Sequence, residues 1–211
     1  MPLIAVDGPA ASGKGTIARA LGRHFGVPHL DTGALYRVVA LSANRAGVAL
    51  DDGAAVGRRA AAIDLSLLED HDLRAAHTGE AASRVSAHPE VRAALMGFQR
   101  AFAAQAGGAV LDGRDIGTVI APDAHAKLYV TAAPEVRARR RFLELTSAGR
   151  DVTEAGILAD IVARDARDMG RTDAPLRQAD DADLLDTSNL DIAAAVRAAI
   201  DLVSKRLERV P

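Results

Sequence analysis

Apolar residues along this chain follow two alternating rhythms. Short runs at Leu3 to Val6, His29 to Asp31, Ala109 to Asp112, Ala126 to Ala132 and Asp183 to Thr187 lie between longer stretches in which apolar positions recur every three or four residues. The short runs predict buried strands and the longer stretches amphipathic helices. The first strand passes through a glycine-rich loop into a helix carrying Ile17, Ala18, Leu21 and Phe25, which Gly26 and Pro28 stop. Thr32 can cap the next helix, with Leu35, Val38, Val39 and Leu41 on its apolar face and Gly47 at its end. A weak alanine-rich helix follows. "IDLSLL" then alternates like a strand, and "EDHD" before Leu73 reads as a hairpin turn.

From Pro89 a helical stripe of Val91, Leu95, Phe98 and Phe102 runs to Gly107 and Gly108. Pro134 opens a helix with Val136, Phe142 and Leu143, the polar "TSAGRDVT" follows, and the next helix carries Ile157, Leu158, Ile161 and Val162. Ile192, Val196, Ile200, Val203 and Leu207 mark the closing helix. Five short strands alternating with helices predict an α/β fold: a five-stranded parallel sheet flanked by helices. There is no internal repeat and no low-complexity linker.

Composition narrows this picture. At 211 residues and 49% hydrophobic, the chain can bury one substantial core, so a single domain is expected. Lys+Arg 26 against Asp+Glu 28 leaves a net charge of −2, which offers no overall attraction to nucleic acid or an anionic membrane. With no cysteine, disulfides and thiolate metal sites are excluded. No apolar run has the length of a membrane span and no secretory leader pattern opens the chain, so a cytoplasmic setting is expected. Lysine occurs only as Lys14, Lys127 and Lys205, and Lys14 stands inside the glycine loop.

That loop, "DGPAASGKGT", has the spacing G-x-x-x-x-G-K between a strand and a helix. Backbone N–H groups and the positive end of the helix dipole then converge on one point, which suits a polyphosphate. Gly8, Gly13 and Gly15 let the backbone approach phosphate oxygens, and Lys14 reaches the outer phosphates. The usual hydroxyl directly after the lysine is replaced by Gly15, with Thr16 one position later, so Mg²⁺ is expected to be held through water. Asp112, at the end of the third strand in "AVLDGRDIGT", can hold the ion's hydration shell. "LDTGALYR" brings Thr32 and Arg37 to a second helix start. "RARRRF" groups Arg137, Arg139, Arg140 and Arg141, and "RDARDMGR" places Arg164, Asp168 and Arg171 on one helix face. Cations on a movable segment are what phosphoryl transfer asks of a protein. There is no guanine-reading N-K-x-D segment.

Taken together, "DGPAASGKGT", "LDTGALYR", "PEVR", "QRAF", "LDGRDIGTV", "RARRR" and "RDARDMGR" resemble, in order, the bacterial cytidylate kinases of the nucleoside monophosphate kinase family. The resemblance implies a P-loop kinase of residues 1–211, with a core of 1–62, 84–144 and 171–211, a short monophosphate-binding insert at 63–83 and a mobile lid with its helices at 145–170. It implies ATP-dependent phosphorylation of CMP and dCMP by a monomer. ATP would lie on Gly8, Pro9, Ala10, Ala11, Ser12, Gly13, Lys14, Gly15 and Thr16, with Mg²⁺ near Thr16 and Asp112. Arg37 and Arg114 would meet the CMP phosphate, Arg164 and Asp168 the ribose and phosphate, and Arg171 the group in transfer. Ser83, Arg92 and Asp115 would face the base, and Thr32 stands where the family often has serine. The insert, with "GEAASRVS" before "AHPEVR", is shorter than in comparable members. The loop alone would equally serve a kinase for UMP, shikimate or adenylylsulfate, or a nucleotide-binding regulator that does no chemistry.

Overall fold

A computed structural model describes residues 1–208. The five predicted strands are present: β1 (Leu3–Asp7), β2 (His29–Asp31), β3 (Ala109–Gly113), β4 (Ala126–Thr131) and β5 (Asp183–Asp186). They form one parallel sheet in the order β2-β3-β1-β4-β5. The helices are α1 (Lys14–Phe25), α2 (Thr32–Arg45), α3 (Gly53–Ala61), α4 (Ala76–Val85), α5 (Pro89–Ala103), α6 (Pro134–Ser147), α7 (Glu154–Met169) and α8 (Ile192–Leu207). Parallel strands need crossovers, and helices packed on the sheet bury both its faces. Hence Ile4, Val6, Val110, Leu128 and Val130 are buried against Ile17 and Leu21 of α1 and Ala195, Ala199 and Val203 of α8. In register, Asp7 stands opposite Gly113 and Tyr129, and Val6 opposite Asp112. β1 and β3 therefore end level at Asp7 and Gly113, β4 runs on to Thr131, and the chemically interesting loops leave from that edge. Among the described residues no helix is long and apolar enough to cross a membrane.

The chain divides into two compact units: Met1–Leu30 with the described residues from Gln105 onward, and Asp31–Ala104. In the second unit, α2 packs on α3 and α4, and α3 on α5. Val38, Leu41 and Leu73 make a small core there, with Ile63 and Leu67 against it. The hairpin expected at "IDLSLL" is not formed. Leu65–Glu69 and His71–Arg74 are two short 3₁₀ turns, opened by Asp64, which accepts from Ser66 N and Oγ, and by Asp70, which accepts from Asp72 N. Aspartate and serine side chains bonding their own backbone offer the chain a turn in place of a ladder. The apolar positions then face inward as Ile63 and Leu67, a helical spacing, while Leu65 and Leu68 stay 37% exposed.

Two smaller corrections concern helix faces. The α5 stripe was expected to bury Phe98, but that ring is 39% exposed and the inward face carries Val91, Arg92, Leu95, Gln99 and Ala103. A buried arginine on a helix in this position already points to a task other than packing. At α2 the cap is Asp31, whose Oδ1 accepts from Ala34 N at 3.1 Å, and Thr32 is the first helical residue.

Candidate active site

The loop after β1 is shaped by close approach. A Cβ on Gly8 would lie 2.0 Å from the Val130 carbonyl oxygen, so no other residue fits. Ala11 and Gly13 both take positive φ, 58° and 88°, curling the chain before α1 starts at Lys14. The first turn of α1 has no acidic residue to compensate its positive end. Ser12 Oγ is fully buried with no hydrogen-bond partner among the described residues. The loop is also braced from outside. Arg137 donates to Ala10 O at 3.2 Å and to Ala132 O at 2.8 Å while pairing with Asp165 of α7 at 2.7 Å. Thr187, just past β5, donates to Ser12 O at 3.2 Å.

Lys14 Nζ stands 3.9 Å from Asp112 Oδ2, and His29 Nε2 lies 2.6 Å from Asp112 Oδ1. A Cβ at Gly15 would come within 3.7 Å of the same Oδ2, so glycine there keeps the ground beside the carboxylate open. Thr16 is exposed, its hydroxyl 3.5 Å from an Arg19 guanidinium nitrogen.

The second cluster of the same unit centres on Asp168, 1% exposed. Arg114 Nε donates to its Oδ2 at 2.8 Å, and Arg171 donates to its Oδ1. Burial pushes the Asp168 carboxyl up, but the guanidiniums of Arg114, Arg171 and Arg164 outweigh it and hold the group below the ordinary carboxylate range. The cluster thus keeps a surplus of positive charge around one fixed anion, an arrangement suited to a phosphate. Asp115, on the same loop as Arg114, is 5% exposed.

Within the second unit, Arg37 donates to Asp31 Oδ2 at 2.7 Å. A Cβ on Gly33 would come within 3.0 Å of Asp31 Oδ1, so this cap requires a small residue beside it. Arg92, 3% exposed, lies 3.5 Å from the hydroxyl of Tyr36, the neighbour of Arg37. Thr32 and Ser83 are both 3% exposed, and Ser83 Oγ has no hydrogen-bond partner among the described residues.

The cytidylate kinase family model matches residues 4–205. The chain is 59% identical over 201 residues, 95% of each chain, to the cytidylate kinase of Rhodopseudomonas palustris. To that of Xanthobacter autotrophicus it is 58% identical over 204 residues, 97% of this chain and 98% of the other. The chain belongs to the cytidylate kinase family. A solved structure of an uncharacterized protein from Eubacterium ventriosum covers 99% of both chains at a TM-score of 0.57 and 14% identity, which shows the fold alone.

Several residues of this family member matter in ways the linear pattern did not reveal. The arginine run on α6 reads as a set of mobile cations, yet Arg137 is a buried strut, and Arg140 is tied to Thr187 Oγ1 at 3.0 Å and Thr187 O at 2.6 Å. Arg139 pairs with Glu154 and Arg141 with Glu144. A cavity of about 820 Å³ opens beside the loop, lined by Ser12, Thr16, Arg141, Leu143, Leu190 and Ile192 among others. Its apolar lining suits a flat base. Leu143 and Ile192 are 52% and 73% exposed, the one signal of this wall, and exposure is not written in a sequence. His29 reads in the sequence only as a strand residue and Asp7 only as the opening of the glycine loop, because what they hold lies elsewhere in the chain. The donor set is of the type a hard divalent ion takes: Asp112 offers carboxylate oxygens beside Lys14, and Thr16 an exposed hydroxyl.

Proposed function

We infer that this chain transfers the γ-phosphoryl group of ATP to CMP and dCMP, giving ADP with CDP or dCDP. What supports the reading above all is the pairing of the Lys14 loop with the Arg114–Asp168–Arg171 cluster, on a chain matched over residues 4–205 by the cytidylate kinase family. In this reaction the bond from the β,γ-bridging oxygen to the γ-phosphorus breaks as a CMP phosphate oxygen bonds to that phosphorus, and ADP leaves with the electron pair. The acceptor oxygen is already ionised near neutral pH, since the second pKa of a phosphate monoester is about 6, so no general base is required. What the protein supplies is position and positive charge.

In this reading the amides of residues 8–16 and Lys14 hold the ATP phosphates, and the cavity beside Arg141 and Ile192 takes the adenine. Asp112 and Thr16, through water, would hold Mg²⁺, which supplies charge neutralisation across the phosphates. Arg37 and Arg114 meet the CMP phosphate, Arg164 and Asp168 the ribose and phosphate, and Arg171 strengthens its hold as charge moves. Asp115 accepts from the cytosine amine and Arg92 donates to N3 and O2, a pairing that uracil reverses at the amine position. The unpartnered Ser83 hydroxyl supports a base contact in the second unit. Residues 63–83 act as a shortened monophosphate-binding insert and 145–170 as the lid. A monomer working on free nucleotides in the cytoplasm completes the proposal.

The test is ADP release measured with CMP, dCMP, UMP, AMP and GMP as acceptors. CMP and dCMP are expected to lead, and Lys14→Ala is expected to lose about a hundredfold or more in kcat while staying folded. A lead by UMP or AMP would overturn the assignment.

A further inference from the structure

Asp115 occupies the residue before a one-turn π-type helix, Ile116–Ile120. Aspartate in such a position ordinarily turns its own carboxylate onto the first free amides of the turn. Here it does not: Asp115 makes no side-chain hydrogen bond to the turn it precedes. The two amides are taken by Asp7, from the end of β1. Ile116 N donates to Asp7 Oδ1 at 2.8 Å and Gly117 N to Asp7 Oδ2 at 2.7 Å. Gly117 permits this approach, because a Cβ there would come within 3.1 Å of the Lys127 side chain and 3.4 Å of Asp7 Oδ2. The Asp115 carbonyl is held as well, by Val119 N at 2.9 Å and Ile120 N at 3.2 Å. The peptide group that follows Asp115 is thereby held at both its N–H and its carbonyl, while the Asp115 carboxylate makes no cap to the turn.

The grip is made with a costly group. Asp7 is 5% exposed, and burial pushes its carboxyl up to about 7, with the nearby charge of Asp115 adding to the rise and the two amides and Arg114 opposing it. The other groups around it are Tyr129, its register partner on β4, whose phenol is itself pushed up by burial and by the charges of Asp165 and Asp7, and Lys127, whose Nζ is engaged by Pro122 O and Asp181. A neutral amide of the same shape would be cheaper to bury, yet it could accept only one of the two N–H groups and would turn an N–H at the other.

We propose that Asp7 is a positioning residue for base selection: by capping the 116–120 turn in place of Asp115, it releases the Asp115 carboxylate to read the base, and a proton on Asp7 relaxes that reading. The proposal rests on Asp115 being a base contact. When Asp7 is neutral, one amide loses its acceptor and the Asp115 carboxylate is drawn onto the turn.

The test compares kcat/KM for CMP with that for UMP in the native enzyme, Asp7→Asn and Asp115→Asn, together with KM for ATP. The ratio cancels the ionisation of the two monophosphates, which share their phosphate chemistry. At about pH 8.5, Asp7→Asn is expected to lower the CMP/UMP ratio about tenfold, the scale of one polar base contact, with KM for ATP within about twofold of native. On lowering the pH to about 6 the native ratio should fall toward that of Asp7→Asn, whose own ratio stays flat. If Asp115→Asn lowers the ratio and Asp7→Asn does not, or the native ratio is flat across this range, the proposal is overturned. If Asp115→Asn itself leaves the ratio unchanged, the reading of Asp115 as the base contact has failed, and the proposal with it.

Discussion

Asp7 and Asp168 are both buried carboxylates in the same unit, and the protein treats them in opposite ways. Asp7 is held by two backbone amides and rises to about 7; Asp168 is surrounded by Arg114, Arg171 and Arg164 and is held below the ordinary range. Desolvation acts in the same direction on both, so the difference lies in the partners. Amide dipoles do not offset the burial of a full charge, whereas several guanidiniums more than offset it. One carboxylate is therefore poised to change its proton near neutral pH, and the other is a permanent anion that keeps arginines in place. Geometry that must persist through a catalytic cycle is built on the second kind.

The largest expected break in this comparison is Asp168→Asn. It leaves the guanidiniums without their buried counter-charge, and loss of one partner from a buried pair costs about 3 to 5 kcal/mol, read as a lower urea midpoint at neutral pH. Because the folded pKa of Asp168 is depressed, its contribution is present above the unfolded value of 3.8 and disappears as pH falls through the folded one. Native and variant stabilities should converge in acid. A gap that persisted there would mean that Asp168 stabilises through packing.

Asp7→Asn should behave the other way. A folded pKa near 7 against 3.8 unfolded means that Asp7 contributes most at low pH and loses that contribution as pH rises through 7. The variant should gain on the native protein across the same interval, by up to about 4 kcal/mol if the whole shift is realised. Denaturant curves collected from acid to mildly alkaline pH measure it, and a difference constant with pH would remove the contrast between the two carboxylates.

The arginines sharpen the comparison at smaller scale. Arg171→Ala is expected to lower kcat about a hundredfold with little change in KM, as for a contact that strengthens during transfer. Arg37 pairs with an aspartate that is about a third exposed, and Arg37→Ala should mainly raise KM for CMP, about tenfold. Steady-state kinetics with CMP varied at saturating ATP separates the two, and the reverse pattern would exchange their roles.

Much of this was legible in the linear chain. The strand, loop and helix around Lys14 carry their own instructions, because the glycines, the apolar run and the helical spacing are local. The place of Arg114 and Asp115 just past a buried strand was readable for the same reason, since β3 ends at Gly113. The stretch 63–74 was misread because alternation of Ile63, Leu65 and Leu67 fits two periods at once, and the choice went to Asp64 and Asp70 capping turns. Phe98 was misplaced because a helical stripe several residues wide leaves its centre undefined until a partner surface exists.

By itself the sequence determined the order of elements and the glycine-rich strand, loop and helix around Lys14, since each is a property of neighbours along the chain. Only the tertiary structure decided which charges meet. Asp7 reaches Ile116 and Gly117 across more than a hundred residues, Arg137 ties Ala10 to Asp165, and Asp168 gathers Arg114 from a distant loop. A carboxylate's partners set its charge state through burial and short-range Coulomb forces, and both come into being only when the strands align and water leaves.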